Sequence, residues 1–160
     1  MVLALFGAGV DLHCGGGDLE FPHHACEAAL GEAATGVAPF ARAWLRAGVV
    51  SYRGAKMAKS SGNLVLVEDL LKEHSPGAIR LLILNRRWSE PWEFTGEGLD
   101  AAEAVLEQLY TAASTPALAP GAAAAPAALL DDLDVPRALA IALEDGGQAA
   151  RTVIELLALS

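Results

Sequence analysis

The 160-residue chain is short of cysteine, of aromatic residues and of positive charge, and each shortage removes a class of explanation. Two cysteines, Cys14 and Cys26, are too few to staple a small secreted scaffold, so the fold must rest on an apolar core. No apolar run reaches the ~18 residues that suggest a membrane helix. The opening MVLALFGAGVDLHC carries no basic segment of the kind that begins a secretory signal. The expectation is a soluble cytoplasmic protein with no membrane partner. Lys and Arg number 11 against 20 Asp and Glu, for a net charge of −9. That deficit is uneven: residues 1–65 hold five acids and five bases, whereas residues 66–160 hold fifteen acids and six bases. Nucleic-acid affinity comes largely from phosphate neutralisation by Lys and Arg, so the second region is a poor nucleic-acid surface. The same acidic excess also serves ordinary solubility.

What is present is sufficient for a core. The chain is 53% hydrophobic with a mean hydropathy of +0.35, which excludes disorder, and its length buries most of an unfolded chain's surface. Residues 9–13 read as a short strand running into Gly15-Gly16-Gly17, and Pro22 suits the first position of a helix reaching Gly36. The spacing of Phe40, Ala43, Trp44 and Ala47 predicts a second short helix over 39–46. Residues 48–53 are β-prone and Gly54 marks a turn, so the first third has an α/β pattern. Beyond the polar stretch 56–63 the periodicity is helical. It places Val67, Leu70 and Leu71 on one helix, Ile79, Leu82 and Ile83 on a second after Ser75-Pro76, and Leu99 to Leu109 on a third over 97–113. Residues 116–128, PALAPGAAAAPAA, read as a semi-rigid linker. Two helices, about 135–144 and 147–158, follow it and are broken at Gly146-Gly147. The organisation expected is therefore 1–66, 67–115, the linker 116–128 and a helical tail 129–160.

Four features can carry chemistry, and each has a plain structural alternative. Gly15-Gly16-Gly17-Asp18, between strand and helix, lets backbone approach a nucleotide, or simply makes a tight turn with Asp18 as a cap. His23, Cys26 and Glu27 share a helix face at i, i+3 and i+4 and offer three zinc-type donors, or form a helical His–Glu pair beside a free thiol. Lys56-Met57-Ala58-Lys59-Ser60-Ser61-Gly62-Asn63 places two ammonium groups on a mobile loop able to neutralise a departing pyrophosphate, or is a solvated turn. Trp88, Trp92 and Phe94 read as core packing.

The order Asp11-Leu-His13-Cys-Gly-Gly-Gly-Asp18-Leu-Glu-Phe-Pro-His23-His24, then Glu27, Glu32-Ala-Ala-Thr-Gly36, Phe40-Ala-Arg42 and Lys56-Met-Ala-Lys-Ser-Ser-Gly-Asn63 resembles the class I cysteinyl-tRNA synthetases. It also resembles their relative, the ligase that joins cysteine to glucosaminyl-inositol in mycothiol biosynthesis. The segments 62–67, 76–81 and 131–139 are nearer the ligase, and Asp11-Leu-His13 is nearer the synthetase. The resemblance implies an α/β fold: the C-terminal half of a class I Rossmann-type nucleotide-binding domain, a helical stem region and a small helical tail. It implies adenylate contacts at Gly16, Gly17, Asp18 and Val50, and a KMSKS-like phosphate clamp of Lys56, Met57, Lys59 and Ser60, with Lys56 and Lys59 catalytic. It implies zinc ligation by His23 and Glu27. The partners implied are cysteine, ATP with Mg, and a small amine acceptor in preference to tRNA. Ala58 stands where the signature has its first serine, and Arg46 where synthetases commonly have histidine. No HIGH-like motif occurs in the chain, and the cysteine ligands expected alongside it are missing. The zinc site is thus expected to be incomplete, with a separate chain as one source of the missing half.

Overall fold

A computed structural model describes residues 2–116 and 123–160. These form two compact units, one of residues 1–50 with 89–92 and the other of residues 51–88 with 93–160.

The first unit begins with a short helix, α1 (Val2–Phe6), followed by β1 (Val10–Gly16), α2 (Ala25–Thr35) and β2 (Ala41–Ala47). β1 and β2 are parallel, with Val10 opposite Ala41, His13 opposite Trp44 and Gly15 opposite Arg46. A parallel pair needs a crossover, and α2 supplies it. The strand expected over 9–13 therefore extends through the glycines to Gly16. Pro22 opens the helical run as expected: Phe21 is extended (φ −137°, ψ 135°), as the residue before a proline tends to be, and helical backbone continues from Pro22 through a wider first turn into the regular helix at Ala25. At the other end Gly36 caps α2 in the left-handed region at φ 69°.

The helix expected over 39–46 is instead the strand β2. A spacing of four, as between Phe40 and Trp44, satisfies both the helical and the strand period. Backbone pairing with β1 then decides between them, against the local preference of Ala, Leu and Arg for helix.

Two further strands follow, β3 (Val50–Tyr52) and β4 (Ala55–Lys56), joined by Arg53 and Gly54 at φ 55° and 74°. Positive φ at both turn residues is what a two-residue hairpin requires, and Tyr52 duly faces Ala55. With β5 (Trp92–Glu93) they form a sheet in the order β4-β3-β5.

The remaining helices of the second unit are α3 (Val67–Leu70), α4 (Pro76–Leu84), α5 (Gly96–Ser114), α6 (Ala124–Leu130), α7 (Val135–Asp145) and α8 (Gly147–Leu156). Their starts are written in the sequence. Ser75 Oγ accepts from the Ala78 amide at 3.2 Å, Thr95 Oγ1 from Gly98 at 3.1 Å and Asp134 Oδ1 from Arg137 at 3.1 Å. Leu81, Leu99, Leu109, Val153 and Leu159 are almost completely buried among these helices. Residues 117–122 of the expected linker lie outside the described residues. Its last residues, 124–128, belong to α6, where Ala125 and Ala128 are buried. The tryptophans expected in the core, Trp88 and Trp92, are only half-buried, and the Trp88 indole N–H donates to the Asp132 carbonyl at 3.0 Å. Phe94 packs edge-on against Tyr52. No helix among the described residues is long and apolar enough to cross a membrane.

Candidate functional site

In the first unit the glycines make room for rings. A side chain at Gly15 would meet the His24 imidazole at 2.6 Å, so the absence of a Cβ there is what admits His24 against the strands. Gly15 lies two residues after His13 and thus on the same face of β1. On that face His13 packs on Trp44 with centroids 4.7 Å apart, and His24 meets His13 edge-on at 4.9 Å. Phe40 closes the end of the group, 5.8 Å from His13. The His13 Nε2 contacts Glu27 Oε2 at 3.1 Å. Arg46 lies over Trp44 at 5.1 Å and near the Glu20 carboxylate at 3.6 Å.

His24 is 3% exposed, and neither its Nδ1 nor that of His13 has a hydrogen-bond partner. Its pKa is held below the ordinary histidine value. Burial is the main cause; His13, His23 and Arg46 add to it, and only Glu27 opposes it. His24 is therefore a neutral imidazole at physiological pH.

Gly16, Gly17 and Asp18 lie where β1 ends and a short turn, Gly17–Leu19, begins. Asp18 folds its carboxylate back over Gly16, where a Cβ would stand 2.5 Å from Oδ1. Gly17 and Asp18 are exposed at the carboxyl end of the parallel strands, the end at which open α/β sheets bind ligands. Val50 is the half-buried first residue of β3.

His23, Cys26 and Glu27 open onto one groove of about 640 Å³, with Leu30, Gly31 and Phe40 among its other lining residues. Imidazole, thiolate and carboxylate are all zinc donors, so the set fits zinc in kind. Glu27 is turned towards His13, and the three ligand atoms are not drawn into one tight group.

The second unit holds the lysine loop. Lys56 ends β4, Lys59–Ser61 form a single turn, and Gly62 closes it at φ 63°. Asn63 stitches the loop shut. Its Oδ1 accepts from the Ala58 amide at 2.9 Å, and its Nδ2 donates to the Lys56 carbonyl at 3.1 Å. Lys56, Lys59 and Ser60 are exposed while Met57 is half-buried, so the loop is anchored at Met57 and presents its cations outward.

Of the residues singled out from the sequence, His23, Cys26 and Glu27 line one groove and Lys56 to Asn63 share one loop, whereas the ring cluster of His13, His24 and Trp44 was given no role. The His13–Gly15 alternation along a strand was the available signal for the ring cluster. Nothing in the sequence paired that strand with Trp44.

Comparison with known proteins shows the family. Residues 1–104 match the family model described as tRNA synthetases class I (C) catalytic domain, and the chain belongs to that family. It is 45% identical over 157 residues to an L-cysteine:1D-myo-inositol 2-amino-2-deoxy-alpha-D-glucopyranoside ligase of Thermobispora bispora, an alignment covering 94% of this chain and 39% of that protein. It is 39% identical over 159 residues to a cysteine–tRNA ligase of Xanthomonas campestris, covering 94% of this chain and 34% of that one. A Thermus thermophilus cysteine–tRNA ligase is 50% identical over 103 residues, covering 64% of this chain and 21% of its own length. The chain thus spans less than two fifths of these relatives. Among solved structures it is similar to the LeuRS chain of an Agrobacterium radiobacter K84 ternary complex with tRNA and LeuAMS. There the TM-score is 0.62 at 15% identity, over 93% of this chain and 26% of that one, which shows a shared fold.

Proposed function

We propose that the chain is part of an ATP-dependent cysteine ligase that activates cysteine as an adenylate and passes it to the amine of glucosaminyl-inositol. In the first step the cysteine carboxylate attacks the α-phosphorus of ATP, the α–β phosphoanhydride breaks and pyrophosphate leaves. In the second the acceptor amine attacks the adenylate carbonyl, loses a proton and releases AMP. Lys56 and Lys59 neutralise the charge that builds on the departing pyrophosphate, with Met57 and Ser60 fixing the loop that carries them. Gly16 and Gly17 allow the adenylate to approach backbone, Asp18 accepts from ribose hydroxyls, and Val50 offers main chain to adenine. His23 and Glu27 are the residues that would hold a zinc ion, whose contribution when bound is to select the cysteine thiolate over a serine hydroxyl. ATP carries its own Mg.

The observation that carries the choice of acceptor is the charge of residues 66–160, fifteen acids against six bases. A tRNA approaching that region meets like charge, whereas a small amino-sugar needs no basic face and its ammonium form is attracted. The reading as a fragment of a cysteinyl-tRNA synthetase is favoured by Asp11-Leu-His13 and by the 50% identity to the Thermus thermophilus enzyme. Two titrations test the proposal. ATP is expected to bind, and Lys59→Ala to weaken ATP about tenfold or more while leaving adenosine unchanged; equal loss of both ligands removes the clamp role. tRNA is expected to bind weakly in a low-salt filter assay, and tight, steeply salt-dependent binding transfers the assignment to the synthetase.

A further inference from the structure

Away from the groove and the lysine loop, the second unit brings one imidazole and two carboxylates to a single point. His74 stands just before α4, where its amide donates to the Leu70 carbonyl at 2.9 Å and the next residue, Ser75, caps the helix. Asp100 and Glu103 are one turn apart on α5 and share a face. The His74 Nδ1 lies 3.0 Å from Glu103 Oε1, and one ligand atom from each of the three residues falls within 4.8 Å of the others. Among the described residues this is the group of three such donors so closely drawn.

We infer that His74, Asp100 and Glu103 form a binding site for one divalent metal ion of the zinc class. Three observations carry this. The donors come from two separate elements, so the convergence is tertiary and does not follow from helix spacing alone. The spacing is also right, since two donors each about 2.1 Å from one tetrahedral zinc lie about 3.4 Å apart. The His74–Glu103 separation is already near that value, and the exposed Asp100 carboxylate has to swing inward by at most about 1.4 Å, the difference between 4.8 Å and that separation. Thirdly, the Asp100 carboxylate has no hydrogen-bond or ion-pair partner among the described residues, so no cation of the protein competes for it.

The choice of metal follows from the ligands. An imidazole nitrogen disfavours Mg and Ca, which take all-oxygen shells, and suits Zn, Co or Ni. Three protein donors leave a fourth position to water. With His74 at 18% and Glu103 at 39% side-chain exposure, an ion there is reachable from solvent. Bound, it ties the start of α4 to α5 and adds stability to the second unit by mass action.

The experiment is a zinc titration against a chromophoric chelator, using the 160-residue chain with His23→Ala so that the groove does not contribute. One equivalent is expected to bind. Adding Asp100→Asn is expected to weaken it by at least about tenfold, and adding His74→Ala to remove it. Thermal melts of the same proteins supply a second readout. Zinc is expected to raise the melting temperature of the His23→Ala protein and not that of the His74→Ala derivative, while Asp100→Asn leaves the zinc-free melt unchanged because Asp100 is exposed. Absence of zinc binding to the His23→Ala chain, or binding that Asp100→Asn and His74→Ala leave intact, overturns the assignment.

Discussion

The two units of this chain are built on different principles. Of the twenty-one apolar residues buried among the described residues, nineteen lie in the second unit and only Phe40 and Ala41 in the first. The first unit buries an imidazole, His24, against His13 and Trp44, and leaves Leu5, Phe6, Leu12, Phe21 and Leu30 exposed. One unit is thus held by aliphatic packing between capped helices. The other is held by a parallel strand pair whose face carries rings and titratable groups. The apolar core of the first unit is thin because imidazoles and a carboxylate occupy volume that aliphatic side chains would otherwise fill.

The contrast can be broken from either side. The largest effect is expected from Leu109→Ala in the second unit. That side chain is completely buried, and its truncation should lower stability by about 2–5 kcal/mol, read as a fall in denaturant midpoint with faster amide exchange along α5. In the first unit the sensitive point is a glycine. Gly15→Ala is expected to push the His24 ring out of its seat and to cost about 1–3 kcal/mol, with displaced His13 and His24 imidazole resonances as its signature. Unchanged resonances would mean that the ring cluster does not depend on the missing Cβ.

A smaller effect tests the helical unit's local signals. Ser75→Ala removes the α4 cap and should cost about 1 kcal/mol, with exchange rising first at Ala78. The finest test is pH. His24 titrates below its ordinary value of 6.5 in the folded chain, so the unfolded chain binds the proton more readily. Its contribution to stability is complete above pH 6.5 and is lost as pH falls below that value towards the folded pKa. Melting temperatures measured from pH 7.5 down to 5.5 should fall, and His24→Asn should flatten the lower part of that profile. A wild-type profile as flat as that of the variant removes His24 as the cause.

The sequence by itself determined most of the second unit's helices, with the start of α6 read as linker. Ser75-Pro76, Thr95 and Asp134 announce helix starts, Gly146 announces a break, and the 3.6 period of Leu99, Ala102, Leu106 and Leu109 selects the buried face of α5. Those signals act over a few residues, so a linear reading captures them. The lysine loop was legible for the same reason, since its turn is set by a short run of its own residues, from Lys59 to Gly62 and Asn63. Tertiary structure alone decided that residues 41–47 form a strand, because a spacing of four is compatible with both periods and only the backbone of β1 breaks the tie. It alone put Trp44 beside His13, turned Glu27 towards His13, and carried His74 to Asp100 and Glu103. Each of those contacts joins residues 14 to 31 positions apart across different elements, and a local period carries no information about which face another element will cover.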